Sequence, residues 1–226
     1  MRYVLLMTIL AKICGINSFI AAQTAIDSGA DLLGFIYFSK SPRHLPIDNA
    51  QALMQQARQH ASARANKVNL VSVVVNPDNE LLDHIARELK PDFIQLHGHE
   101  TPERVADIRA RLNVSLIKAI SVSSKDDVAT ARVYEPLVAH MLFDAKPPKD
   151  ATLPGGVGAK FDWTLMEGHK GLAPWFLAGG LDPWNVADAI ATAKAPMVDV
   201  SSGVERGPGL KDPSLITQFL KNAKGS

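Results

Sequence analysis

One cysteine, Cys14, stands in the whole chain. A single thiol forms no internal disulfide and builds no cysteine metal site. Once ionised it can act as a nucleophile or a base. Most free cysteines are small buried hydrophobes, so its neighbours decide. It sits in Lys12-Ile13-Cys14-Gly15, and in a strand Lys12 and Cys14 share a face. An ammonium beside a thiol favours the thiolate, which predicts a titration below the ordinary value of about 8.5. The second candidate is Asp144, which closes the apolar run Met141-Leu142-Phe143. A carboxylate there can cap a helix or sit in a turn. Partly buried beside an anionic ligand, its pKa would rise and it could serve as a general acid. A base and an acid from distant parts of the chain suit a proton-shuffling isomerisation.

Three glycine clusters accompany them: Gly155-Gly156-Val157-Gly158, Gly179-Gly180 and Ser202-Gly203. Each alone reads as a turn. Together they predict a phosphate cradle, because glycine lets backbone N–H groups converge on an anion. The spacing is not that of a P-loop. Arg43, in Ser41-Pro42-Arg43, is either a solvated arginine or a guanidinium fork for a carboxylate. His97-Gly98-His99 has a metal-ligand spacing, but the later strand ends offer no histidine partners. No metal is expected, and His97 reads as packed or substrate-adjacent.

These residues need elements to position them. Short apolar runs cover 4–14, 32–38, 68–75, 92–97, 114–120, 139–144, 174–179 and 197–201. Each has the length of a strand and is apolar on both faces, as buried parallel strands are. Stretches with helical spacing lie between them. Ser18 precedes a helix ending at Gly29, while Thr101-Pro102, Asp182-Pro183 and Asp212-Pro213 each open one as N-cap and first helical residue. Eight strands alternating with eight helices predict an α/β fold, a (β/α)₈ barrel forming one domain over residues 1–226. A doubly wound sheet is the alternative, but no G-x-G-x-x-G follows the first strand. In a barrel, function sits at the C-terminal ends of the strands. Those ends are Cys14-Gly15, Ser41-Pro42-Arg43, Asn76-Pro77, His97-Gly98, Asp144, Gly179-Gly180 and Ser201-Ser202-Gly203.

Composition sets outer limits. The 226 residues are 46% hydrophobic and 21% charged, with 24 Lys+Arg against 23 Asp+Glu, a formal net charge of +1. That balance supplies no general field for nucleic acid or an anionic membrane. No apolar run reaches the roughly 18–20 residues of a spanning helix. The apolar start carries Lys12 and lacks a small-residue cleavage site, so it reads as a ragged leader to the first strand. A lone cysteine suits a reducing, cytoplasmic setting. The expected partner is a small phosphorylated molecule. A monomer is the default and a homodimer the alternative.

In order along the chain, Lys12-Ile13-Cys14-Gly15, Ser41-Pro42-Arg43, Gln95-Leu96-His97-Gly98, Leu142-Phe143-Asp144 and Val198-Asp199-Val200-Ser201-Ser202-Gly203 resemble the phosphoribosylanthranilate isomerase family nearly end to end. The resemblance implies a (β/α)₈ barrel working without metal or cofactor in tryptophan biosynthesis. It implies an Amadori rearrangement of N-(5-phosphoribosyl)anthranilate to 1-(2-carboxyphenylamino)-1-deoxyribulose 5-phosphate. Cys14 would be the base and Asp144 the acid. Arg43 would hold the anthranilate carboxylate, and Gly156, Gly158, Gly179, Gly180, Ser202 and Gly203 the phosphate. Asp199 would meet a ribose hydroxyl, with Lys12 and His97 as further substrate contacts. Val157 stands where the family usually has threonine, and Ala145 where it has serine or threonine. The related histidine-pathway isomerase resembles this chain less, because it places an aspartate where Cys14 stands. Indoleglycerol phosphate synthase needs a Lys/Glu pair, and no strand-end Glu accompanies Lys12 or Lys118. A barrel that only binds phosphate ligands would have no use for Cys14, Asp144 and Arg43 together.

Overall fold

The structure, a computed structural model, describes residues 9–147, 155, 156, 158 and 161–225. Eight parallel strands close into a barrel in sequence order: β1 Leu10–Cys14, β2 Leu32–Tyr37, β3 Asn69–Val74, β4 Phe93–Leu96, β5 Ser115–Val122, β6 His140–Ala145, β7 Trp175–Leu177 and β8 Met197–Val200. Each strand alternates between two apolar environments. Leu32, Val71, Val73, Ile117, Leu142 and Phe176 fill the interior, while Ile13, Leu33, Leu70, Ile94, Phe143 and Val198 pack outward under the helices. Burial on both faces explains the continuous apolar runs. The first strand is described from Leu10, and the earlier part of the 4–14 run, with the leader ahead of it, lies outside the described residues.

The outer ring holds α1 Phe19–Asp27, α2 Ile47–Ala63, α3 Asn79–His84, α4 Pro102–Arg111, α5 Lys125–Thr130, α6 Val186–Ala193 and α7 Pro213–Lys224. Their starts follow the capping chemistry. Ser18 accepts from Ala21 N, Thr101 from Arg104 N, and Asp212 from Ser214 N and Leu215 N. Pro102 and Pro213 take the first helical turn, where their missing N–H costs nothing. Asp182-Pro183 departs from the expectation. Asp182 accepts from Trp184 N and Asn185 N to close a turn, and α6 begins only at Val186. Eight helices were expected, but between β6 and β7 the described residues hold only a 3₁₀ turn, Trp163–Met166.

After β8 the chain makes a short 3₁₀ turn, Ser202–Val204, and then a small antiparallel hairpin of β9 Glu205–Gly207 and β10 Leu210–Lys211. The hairpin folds back over the barrel mouth. Asn17 donates to the Gly209 carbonyl at 2.9 Å. Gly209 has φ +77°, and a side chain there would strike the Pro42 carbonyl. The chain's end is thereby tied to the loops after β1 and β2.

Candidate active site

Alternation along β1 places Lys12 and Cys14 on the interior face, one layer apart. Gly34 of β2 lies beside both. A side chain there would fall 2.9 Å from Cys14 Sγ and 3.2 Å from Lys12 Cε. Barrel closure sets Lys12 opposite Asp199 of β8, and its Nζ donates to Asp199 Oδ1 at 2.9 Å. Lys12 has 0% exposure and lies between Asp199 and Cys14. Burial opposes its charge, but Asp199 and Cys14 outweigh burial and hold its pKa above the ordinary lysine value. The expected lowering of the thiol does not occur. Burial pushes Cys14 up and Lys12 pulls it down, but Asp199 pushes it up again, leaving it above the ordinary thiol value. The ammonium under the sulfur is already shared with a carboxylate.

Across the mouth, Asp144 is interior at the end of β6 and neither caps a helix nor sits in an exposed turn. Its Oδ1 accepts from Ala145 N at 2.9 Å, and its Oδ2 lies 3.3 Å from His97 Nε2. His97 follows β4, and its Nδ1 lies 2.8 Å from Nε2 of the buried Gln95.

Arg43 is buried, at 4% exposure. Its Nε and Nη2 bond Glu205 Oε1 and Oε2, each at 2.8 Å. The fork expected to grip a ligand carboxylate therefore already holds one, and Nη1 is turned toward Gly156. Gly15, at φ +79°, gives Arg43 room to cross, since a side chain would lie 2.7 Å from its Cδ. Glu205 also accepts from Lys211 Nζ at 2.6 Å. Burial alone would raise Glu205, yet Arg43 and Lys211 hold it below the ordinary carboxylate value. Burial lowers Lys211. Neither Glu205 nor Lys211 was foreseen. The Gly207-Pro208-Gly209 turn between them was the available signal.

One cleft of about 520 Å³ is lined by Cys14, Arg43, His97, Asp144, Gly156, Asp199 and others. A second, of about 390 Å³, shares Asp144, Gly156 and Asp199 and runs on past Gly158, Gly179, Gly180 and Ser202. Gly156, Gly158, Gly179 and Gly180 have positive φ, between 62° and 84°. Gly203 plays a packing part: a side chain there would collide with the Leu181 carbonyl. Val157 lies outside the described residues. Lys118 does have a glutamate partner, Glu100, at 3.0 Å. That pair is buried and lines neither cleft, so it revives no Lys/Glu chemistry at the mouth.

A closed parallel barrel with a thiol, a carboxylate and a glycine-lined extension at its C-terminal mouth defines an acid–base barrel enzyme. The family model for N-(5′-phosphoribosyl)anthranilate (PRA) isomerase matches residues 11–222. The Caulobacter sp. (strain K31) protein of that name is 51% identical over 95% of this chain and 98% of its own length. The crystal structure of phosphoribosyl anthranilate isomerase from Thermotoga maritima superposes with a TM-score of 0.84 at 34% identity, covering 96% of this chain and 100% of that one. A second isomerase structure, in complex with reduced 1-(o-carboxyphenylamino)-1-deoxyribulose 5-phosphate, gives 0.79 at 33% identity with the same coverage. The chain belongs to the phosphoribosylanthranilate isomerase family, the isomerases of tryptophan biosynthesis.

Proposed function

We propose that the conversion of N-(5-phosphoribosyl)anthranilate to 1-(2-carboxyphenylamino)-1-deoxyribulose 5-phosphate is divided here between Asp144 as acid and Cys14 as base. The observation that carries this is their shared cleft, with Arg43 beside them and a glycine-lined extension leading away. Asp144 protonates the furanose ring oxygen, and the ring opens to an iminium. The iminium acidifies the neighbouring C2′ proton, which the Cys14 thiolate removes. The enolamine then tautomerises to the ketone. Acid and base steps of this kind contribute roughly 10²–10⁴-fold each.

The anthranilate carboxylate meets Arg43 Nη1, the nitrogen that Glu205 leaves unused. The phosphate lies in the extension, on the backbone of Gly156, Gly158, Gly179 and Gly180 with the Ser202 hydroxyl. Asp199 Oδ2 takes a ribose hydroxyl while Oδ1 keeps Lys12. Anchoring both ends of a flexible anion supplies orientation. As it binds, charge from Lys12 moves from Asp199 toward the sulfur, because the Asp199 carboxylate now serves a second donor.

Residues 1–226 act as one catalytic domain, since β1 and β8 must meet to build the base. All of these groups come from one chain, so a monomer suffices. The single cysteine fits a cytoplasmic enzyme. Among the described residues no helix is long and apolar enough to cross a membrane.

The test is anthranilate fluorescence during turnover. Cys14→Ser and Asp144→Asn should each lower kcat by about 10²–10⁴-fold with a smaller change in KM. Near wild-type turnover in either variant removes that residue from the mechanism.

A further inference from the structure

An aspartate that must deliver a proton faces a supply problem, because a carboxyl with the ordinary pKa of about 3.9 is ionised at neutral pH. We propose that His97 shares one proton with Asp144 and so keeps the acid loaded at neutral pH, with Gln95 setting the state of the imidazole. This rests on the reading of Asp144 as the acid.

The arrangement runs in a line. Phe93, Gln95 and His97 alternate inward on and just beyond β4. Gln95 is fully buried, and its one hydrogen bond among the described residues is Nε2 to His97 Nδ1. Its Oε1 is buried without a partner, so among the described residues no other side-chain hydrogen bond fixes the amide. With Nε2 toward the ring, the amide donates to Nδ1 and the ring proton sits on Nε2, facing Asp144 Oδ2. Turned by 180°, the amide accepts Nδ1–H, and Nε2 then shares a proton with the carboxyl. One side chain supports both states of the imidazole.

The ring is held firmly. Lys118 Nζ donates to the carbonyls of Leu96 and Gly98, and Glu100 accepts from Gly98 N, so the backbone on both sides of His97 is anchored. Gly155 closes over the pair. A side chain there would fall 2.7 Å from both Asp144 Oδ2 and His97 Nε2.

An ordinary imidazole gains its proton near pH 6.5, and a carboxylate in contact favours that gain. A proton on Nε2 then lies beside Oδ2, with 3.3 Å between nitrogen and oxygen. Among the described residues, the other charged groups facing them are already engaged. Asp199 of β8 holds Lys12 of β1, and Arg43 after β2 is held with Lys211 of β10 on Glu205 of β9. Glu100 and the β5 residue Lys118 pair beneath the His97 loop. Among the described residues, Cys14 is the remaining titratable group in the cleft. The proton count closes. The pair gives one proton to the ring oxygen, Cys14 gains one from C2′, and resetting returns one from sulfur to the pair through solvent.

The test compares kcat against pH for the wild type, His97→Asn, Gln95→Leu and Asp144→Asn. His97→Asn should lose about 10–100-fold at pH 8 and distinctly less at pH 6, so its alkaline decline begins earlier. Gln95→Leu should move the profile the same way by less. A His97→Asn profile lowered equally at every pH, or one superposed on the wild type, overturns the proposal. Asp144→Asn should fall by about 10²–10⁴-fold at every pH, and if it turns over near the wild-type rate the acid assignment itself fails, whatever His97 does. If His97→Asn does not fold, the ¹⁵N titration of the His97 ring decides. It should move to lower pH in Asp144→Asn, and an unchanged titration overturns the proposal.

Discussion

The two halves of the mouth are built on the same geometry with opposite chemistry. On one side Lys12 lies two residues below Cys14 on β1, and on the other Gln95 lies two residues below His97, which touches Asp144. In each, a buried polar side chain one layer down sets the state of the group above it. The base half uses full charges, with an ammonium balanced against Asp199. The acid half uses an amide with no charge. A charged support commits the site to one electrostatic state until something disturbs the balance. A neutral amide answers to whichever proton state the ring adopts. On the proposed roles, the base waits for substrate while the acid adjusts to the medium.

Removing each support should expose the difference. Lys12→Met strips Asp199 of its partner inside the barrel, and breaking a buried pair in this way costs about 3–5 kcal/mol. Urea denaturation measures it. Gln95→Leu should cost about 1 kcal/mol or less, because it removes one neutral hydrogen bond. Equal losses would mean the two halves are not supported differently.

Asp199→Asn sharpens the comparison from within the base half. Asp199 raises the thiol pKa and Lys12 lowers it, so neutralising Asp199 should move Cys14 ionisation to lower pH. Iodoacetamide alkylation followed against pH reads this directly. An unchanged or higher midpoint would show that Lys12 does not govern the sulfur.

Glu205 holds both Arg43 and Lys211, and all three side chains are buried. Its pKa is depressed in the folded protein. Its contribution is therefore fully present above the ordinary carboxylate value and is lost as pH falls through the folded one. Glu205→Gln should flatten the acid side of the stability curve and raise KM severalfold. An acid limb as steep as the wild type's would contradict this.

Much of the barrel was legible because buried parallel strands leave apolar runs, and strand ends are where barrels keep polar groups. Cys14, Asp144 and His97 were named by that route, and Asp199 only through the family resemblance. The ionisation of Cys14 was misjudged because burial in the closed barrel outweighs the pull of Lys12, and Asp199 adds to burial once the first and last strands pair. Glu205 and Lys211 were missed for a different reason. They sit in strands of three and two residues, too short to show any periodicity. The Asp182-Pro183 signal was genuine but marked a turn, since Asp182 bonds the next backbone amides without a helix following at once.

The seam between β1 and β8 has a consequence for biosynthesis. Lys12 and Asp199 are 187 positions apart, so a nascent chain emerging from the ribosome displays its sulfur long before the residues that tune it exist. The proposed proton chemistry therefore switches on only when the last strand is zipped into place.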